Sequence, residues 1–300
     1  MKAKACKPPS QVLGAAPSDR DAPARDRRRA SAWTWLCLAP REPNNTTTPL
    51  IHLFALAAMP GKVIVASTPE QIPLGPVDNK ITAVYWDICG LAQPIRYALA
   101  LAGADFVDVR IEPGDANLPS YKQMWFNKKP MVGEACPFPN LPYLLDEGGV
   151  ALPQSNAILR YIGRKYGLMG DDPLAVDLVL DQTSDFDAES TRRSYGGGLP
   201  ALKEYCEKDL GARLAEWAKY LGEKPFMTGD TCTVADIKLY ETLRKIRIIE
   251  KEVGTTSVLA GQPKLCAFLA RVEAIPAIAA YMASDQHLER PLNNPHAQFR

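Results

Sequence analysis

The stretch Ile81-Thr82-Ala83-Val84-Tyr85-Trp86-Asp87-Ile88-Cys89-Gly90 decides how this chain is read. Its first six residues form an apolar, β-rich run with the look of a buried strand. Gly90 breaks it. Beyond the glycine, Ile95, Ala98, Leu99 and Ala102 fall at helical spacing, Pro94 suits the first turn, and Gly103 is the stop. Phe106 to Ile111 then reads as a second strand. A strand, a helix of this length and another strand make a βαβ unit.

Downstream, a long loop from Glu112 to Ser120 holds Pro113, Gly114 and Pro119. Leu141 to Leu145 and Val150-Ala151 read as short strands around the turn Asp146-Glu147-Gly148-Gly149, and a helix runs from about Ser155 to near Gly167. After Asp171-Asp172-Pro173 the pattern is helical throughout. Asp172 suits an N-cap and Pro173 the first helical position. One helix is expected from Leu174 towards Ser190 and another from about Leu199 to Leu221. A third starts at Thr233, where Thr233-Val234-Ala235-Asp236 is a capping box ahead of an apolar run. Further helices are expected at Lys264–Glu273 and Ile278–Met282, and there are no internal repeats.

Upstream, residues 1–80 differ from the rest. They are rich in Pro, Ala and Arg, with Arg27-Arg28-Arg29 and Asn44-Asn45-Thr46-Thr47-Thr48, and only Trp33–Leu38 and Leu50–Ala58 are apolar. Such a segment is expected to be mostly disordered. A transit peptide, a secretory signal and an upstream extension without function compete for it. The Arg and Ala content suits organellar targeting by residues 1–58, but Asp19, Asp21, Asp26 and Glu42 spoil the acid-poor signature. The apolar pieces lie too far from the start for a secretory signal. The balance falls slightly to an extension, with Met59-Pro60-Gly61-Lys62 as a natural internal start.

Composition narrows the function classes. A chain of 300 residues makes one large domain or two smaller ones, and 46% apolar residues support a sizeable core. Lys plus Arg number 35 against 34 Asp plus Glu, without the basic excess of a nucleic-acid binder. No apolar run approaches the ~20 residues of a membrane span. Seven cysteines, an odd number without C-x-x-C spacing, and three scattered histidines speak against disulfide scaffolds and metal sites. A reducing, cytoplasmic setting is the expectation.

Three motifs then carry a resemblance. Tyr85-Trp86-Asp87-Ile88-Cys89-Gly90-Leu91-Ala92 resembles the Y-W-D-I-R-G-L-A first-strand motif of mu-class glutathione transferases. Phe138-Pro139-Asn140-Leu141-Pro142-Tyr143-Leu144 matches F-P-N-L-P-Y-L, and Gln154-Ser155-Asn156-Ala157-Ile158-Leu159 matches Q-S-N-A-I-L. The helical part adds Gln182-Thr183-x-Asp185 and the Thr233-x-x-Asp236 cap. Each motif alone is weak, whereas together and in this order they are strong, and the resemblance covers roughly Ile81 to Leu292. It implies a thioredoxin-like α/β glutathione-binding domain (81–168) and an all-α domain (171–292), between the disordered extension already read from composition (residues 1–80) and a tail (293–300).

The resemblance also implies roles. Tyr85 is expected to activate the glutathione thiol by hydrogen bonding. A thiol like that of free cysteine has a pKa of about 8.5, and lowering it by roughly two units takes about 2.7 kcal/mol. A hydrogen bond to a charged group contributes about 1.5–3 kcal/mol, so one hydroxyl donor suffices for most of the effect. Leu141-Pro142 matches the family's cis-proline corner, whose Leu141 backbone pairs with the extended peptide. Gln154 and Ser155, at a helix start, suit the γ-glutamyl carboxylate; Ser155 as a simple cap is compatible with this. Trp125, Lys122 and Lys129 match the Trp, Arg and Lys that hold the glycyl end, with bidentate pairing lost at Lys122. Trp86, Leu91 and Asn140 complete the binding set. Asp185 is implied to reach the γ-glutamyl amine in the neighbouring subunit of a homodimer keyed by Phe138. Tyr195 is either a second-substrate hydroxyl or an ordinary helix-end tyrosine beside Gly196-Gly197-Gly198.

The function implied is transfer of the glutathione sulfur to electrophilic, hydrophobic small molecules, with glutathione as co-substrate and no metal or other cofactor. Cys89 departs from the motif, standing in place of an arginine just before a helix. It sustains a rival, a thiol transferase using Cys89, while a small buried cysteine is the favoured reading. A non-catalytic binding or structural protein is the other rival; Tyr85, Trp125, Lys129 and Gln154 speak against it.

Overall fold

The computed structural model describes residues 61–115, 117–255 and 257–300. The readings made for residues 1–60 lie outside them. A five-stranded sheet comes first: β1 (Lys62–Ala66), β2 (Ile81–Trp86), β3 (Phe106–Ile111), β4 (Tyr143–Asp146) and β5 (Val150–Pro153), in the order β1-β3-β2-β4-β5. β1 and β2 run parallel to β3, while β4 is antiparallel to both β2 and β5. The helices α1 (Gln93–Leu101), α2 (Gln123–Val132) and α3 (Ser155–Tyr166) belong to this half. The rest is helical: α4 (Pro173–Gly196), α5 (Gly198–Lys208), α6 (Leu210–Leu221), α7 (Val234–Val253), α8 (Pro263–Glu273) and α9 (Pro276–Ala283).

The βαβ unit read from Ile81 to Ile111 is present, with β2 central in the sheet. Both its faces are covered, which is why its sequence runs apolar without alternation. Ile81 and Ala83 pack into a core shared with α1, α3 and α7, whereas Val84 and Trp86 pack on the other side with Val107, Val109, Trp125 and Tyr143. α1 packs against α3, α7 and α9, so one helix joins the sheet to the helical half. Its Arg96 is fully buried and donates to Asp108 on β3 (2.8 Å) and to the Ile88 carbonyl (2.8 Å). The loop after β2 is thereby anchored from beneath.

The structure departs from the sequence reading at five places. Residues 62–66 form an edge strand and residues 69–71 a 3-10 turn, where the sequence reading extended disorder to residue 80; Val63-Ile64-Val65-Ala66 is a short apolar run that pairs in register with β3. α2 was not foreseen, because it contains Pro130 and buries only Trp125, Lys128 and Val132, too few for a helical stripe. The helix expected from Leu174 to Ser190 continues to Gly196 and takes in Tyr195, and the helix expected over Leu199–Leu221 divides at Asp209 into α5 and α6. Residues 293–300, read as a tail, are packed: Ala297 and Phe299 are buried, and the Gln298 and Phe299 N–H groups donate to the Ser194 carbonyl at the end of α4.

The capping box holds α7. The Asp236 carboxylate accepts from Thr233 N–H (2.9 Å) and Met227 N–H (2.6 Å), both buried. Asp236→Ala strands both donors and is expected to cost at least ~2 kcal/mol of unfolding free energy, measured by urea denaturation.

Candidate functional site

Tyr85 is the next-to-last residue of β2, and its ring folds back over the loop that follows. A Cβ placed on Gly90 would lie 2.7 Å from the Tyr85 hydroxyl oxygen, and Gly90 itself has φ +42°. Only glycine meets both demands. Burial pushes the Tyr85 pKa up, and the nearby Tyr195 phenol pushes the same way; the Leu91 N–H, Lys245 and Arg96 oppose it. The upward direction wins, so the phenol keeps its proton at neutral pH and is a hydrogen-bond donor.

The segments expected to bind the peptide belong to the same sheet-containing half as Tyr85. The Leu141–Pro142 bond is cis. β4 pairs only from Tyr143 onwards, which leaves the Leu141 backbone outside the sheet ladder. Gln154 takes φ +73° and is exposed at the N-terminus of α3. No side chain caps that helix, so the N–H groups of its first turn face outward for an anion. Asn140 is exposed and Ser155 half-buried. On α2, Trp125 is buried with its ring 5.9 Å from that of Tyr143. Lys122 is at the α2 N-cap with its ammonium 4.8 Å from the centre of the Tyr121 ring, and Lys129 is half-buried. Trp86 is buried, while Leu91 is exposed beside Gly90.

Asp177, Asp181 and Asp185 stand four residues apart on α4 and differ in their partners. Asp177 and Asp181 pair with Arg160 of α3 at 2.6 and 3.0 Å, and Asp185 is exposed outside that cluster. Tyr195 is partly exposed; its hydroxyl accepts a hydrogen bond from the Asn294 N–H at 3.1 Å and retains its own proton for another acceptor. The C-terminal segment thus enters the site's surroundings. It is also bonded to the loop after β2, with Cys89 N–H to the Pro291 carbonyl (2.8 Å) and Gly90 N–H to the Leu292 carbonyl (3.1 Å). Sequence reading missed this segment, and it missed the buried cations of α7: Lys238, Arg244 and Lys245. Their signal was present as charged residues within a run of Ile and Leu long enough to be core.

Cys89 has no solvent exposure. Its thiol donates to the Leu288 carbonyl at 3.1 Å, and burial together with the Glu241 carboxylate raises its pKa to about 11. The helix start behind it does not offset that burial. A thiol so placed is neither a thiolate at neutral pH nor within reach of a substrate, which answers the thiol-transferase rival on geometry. The five cysteines among the described residues are free, and no group of His, Cys, Asp and Glu there could hold a metal. Among the described residues no single helix is long and apolar enough to cross a membrane.

A thioredoxin-like sheet carrying a buried tyrosine, a cis-proline corner and an open helix N-terminus, followed by an all-helical half, defines the class of glutathione-binding transferases. Residues 82–164 match the family profile "Glutathione S-transferase, N-terminal domain" and residues 199–285 match "Glutathione S-transferase, C-terminal domain". The chain is 36% identical to Glutathione S-transferase Mu 3 of Homo sapiens over 226 residues, 74% of this chain and 96% of that protein. It is also 36% identical to the class-mu 26 kDa isozyme 1 of Fasciola hepatica, over 72% of this chain and 92% of the relative. Among solved structures, the Pi-class glutathione S-transferase of Onchocerca volvulus superposes with a TM-score of 0.63 at 26% identity, covering 73% of this chain and all of that one. The chain belongs to the glutathione S-transferase family.

Cys89 is expected to resist alkylation by N-ethylmaleimide in the native protein, and Cys89→Ser to keep turnover within about twofold of wild type. A glutathione mixed disulfide at Cys89 in the mass spectrum, with activity lost in the serine variant, would contradict both expectations.

Proposed function

We propose that this chain conjugates glutathione to electrophilic small molecules, with Tyr85 as the thiol-activating residue. The observation that carries the proposal is the Tyr85 phenol: buried, kept protonated, and pressed against Gly90 at the end of β2. On this reading Tyr85 donates its hydrogen bond to the glutathione sulfur and keeps its own proton, while the thiol proton leaves to solvent. The thiolate then attacks an electrophilic carbon, either displacing a leaving group or adding to a conjugated double bond. The γ-glutamyl carboxylate takes the α3 N-terminus at Gln154 and Ser155, the peptide backbone takes Leu141, and the glycyl carboxylate takes Lys122, Trp125 and Lys129. Trp86, Leu91 and Asn140 line the bound tripeptide and its partner substrate, and the Tyr195 hydroxyl donates to a carbonyl or epoxide oxygen. The reaction draws on no cofactor beyond glutathione as co-substrate.

The homodimer belongs to the same proposal. Phe138 is 86% exposed and has φ +53°, in a segment flanked by Pro137 and Pro139. An apolar ring held out in this way needs a receptor. A groove of about 340 Å³ between α4 and α6, lined by Leu178, Gln182, Glu216, Trp217 and Tyr220, matches one phenyl ring with room to spare. Burying the ring stabilises by about 1.5–3 kcal/mol, and two-fold symmetry counts it twice. Across that interface Asp185 meets the γ-glutamyl amine of the glutathione held by the partner.

Two outcomes test these readings. Tyr85→Phe should lower turnover with an aryl halide at least tenfold while glutathione affinity survives, because binding is spread over many groups and activation is not; steady-state kinetics beside equilibrium binding separates the two. Phe138→Ser should weaken dimerisation and raise the Michaelis constant for glutathione together, read by sedimentation equilibrium and kinetics at matched concentrations. A wild-type protein that is monomeric and fully active at nanomolar concentration would end the dimer reading.

A further inference from the structure

We infer that Lys238 of α7 is a positioning residue for glutathione, tying together the two segments that grip its γ-glutamyl end. The inference rests on the glutathione-binding reading above and adds a residue to it. Lys238 is buried, yet among the described residues its ammonium bonds to no carboxylate. It donates instead to Asn156 Oδ1 (2.5 Å), to the Leu180 carbonyl (2.9 Å) and to Ser184 Oγ. These three acceptors saturate an ammonium's three protons. They also lie on two different elements, α3 and α4, from the two halves of the molecule.

The placement of the acceptors along the sequence is what points to function. Asn156 follows Ser155 directly, in the first turn of α3, where the γ-glutamyl carboxylate is to be bound. Ser184 precedes Asp185 directly, on the helix whose carboxylate meets the γ-glutamyl amine. Asn156 closes the set by donating to Asp181 Oδ1 (2.7 Å) and Ser184 Oγ (3.1 Å). Lys238 and Ser155 also line the same small cavity, together with Gly90 and Leu91. One ammonium therefore holds the anion-binding turn of its own site and, through Ser184, the helix that presents Asp185 to the partner's site.

A buried lysine without a carboxylate partner is an expensive choice for a purely structural clamp. It is a sound choice beside an anion-binding turn, because a bound carboxylate offsets the buried charge. The charged groups facing the ammonium are Asp181 and Asp187 from α4, Arg160 from α3, and Lys245 from α7 itself. Glu241, also on α7, lines the same small cavity. Burial wins over the two aspartates and brings the Lys238 pKa down to about 8. Binding a carboxylate favours the charged form, so Lys238's contribution to affinity is present below that pH and fades as pH rises through it.

The test is calorimetric titration of glutathione into wild type, Lys238→Met and the milder Ser184→Ala, from about pH 6.5 to about pH 9.5, a range that brackets both sides of the lysine's titration. Lys238→Met should weaken glutathione binding about tenfold at the acid end, with turnover at saturating glutathione changed less than threefold. The gap between it and wild type should close towards the alkaline end, whereas glutathione's own amine titrates identically with both proteins. Ser184→Ala should shift affinity two- to threefold in the same direction, and it carries the test alone if Lys238→Met does not fold. Equal affinity for wild type and the variants, or a gap that does not change with pH, would overturn the inference while leaving the proposed function standing. A wild-type protein that binds no glutathione would overturn both.

Discussion

The close approach of Gly90 to the Tyr85 ring is the constraint on which the rest of the site depends. Tyr85 is one residue from the end of its strand, where a side chain would ordinarily point into solvent or core. Here the backbone turns beneath it with φ +42°, and the missing Cβ is what lets the phenol lie against the loop. The loop in turn is held by three hydrogen bonds from two sides: Arg96 on the Ile88 carbonyl, and the C-terminal segment on the Cys89 and Gly90 N–H groups. The loop against which the phenol lies is therefore fixed by a side chain of α1 and by backbone bonds from the chain end. On the proposed mechanism, preorganisation of this kind lowers the reorganisation cost at the moment a thiolate forms.

The same arrangement accounts for Cys89. A residue at that position is enclosed between the loop, α7 and the C-terminal segment, with Arg244 Nη2 3.7 Å from the sulfur. The guanidinium forms a buried pair with Glu241 at 2.7 Å, so positive charge reaches this spot from α7 and not from the loop. The side chain that departs from the motif is thus enclosed and packed against a charged pair of α7.

Much of this was legible in the sequence, for definable reasons. β2, α1 and β3 could be read because a buried central strand and a packed helix each carry an unbroken apolar signature, and α7 because its cap uses side chains with one purpose. α2 could not be read, since three buried residues and an interior proline leave no period. β1 lay hidden beside a compositionally biased segment. At the proposed site, Tyr85, the Leu141-Pro142 corner and Gln154-Ser155 stand in linear motifs, and the cis bond at Leu141–Pro142 is the one of these that the structure displays directly. Residues that meet only in three dimensions were not legible: Asn294 reaches Tyr195 across 99 positions and Lys238 reaches Asn156 across 82. No local pattern announces such pairs, although charged residues inside an apolar helix do signal that partners must exist.

On the proposed mechanism a protonated Tyr85 phenol stabilises the bound thiolate. That stabilisation is tested most directly by titrating the ultraviolet thiolate absorbance of the wild-type protein saturated with glutathione, against the same complex with an S-methylated analogue as blank. The account predicts that the bound thiol ionises roughly two units below the free value of about 8.5. Ionisation at the free value, with glutathione demonstrably bound, would contradict it.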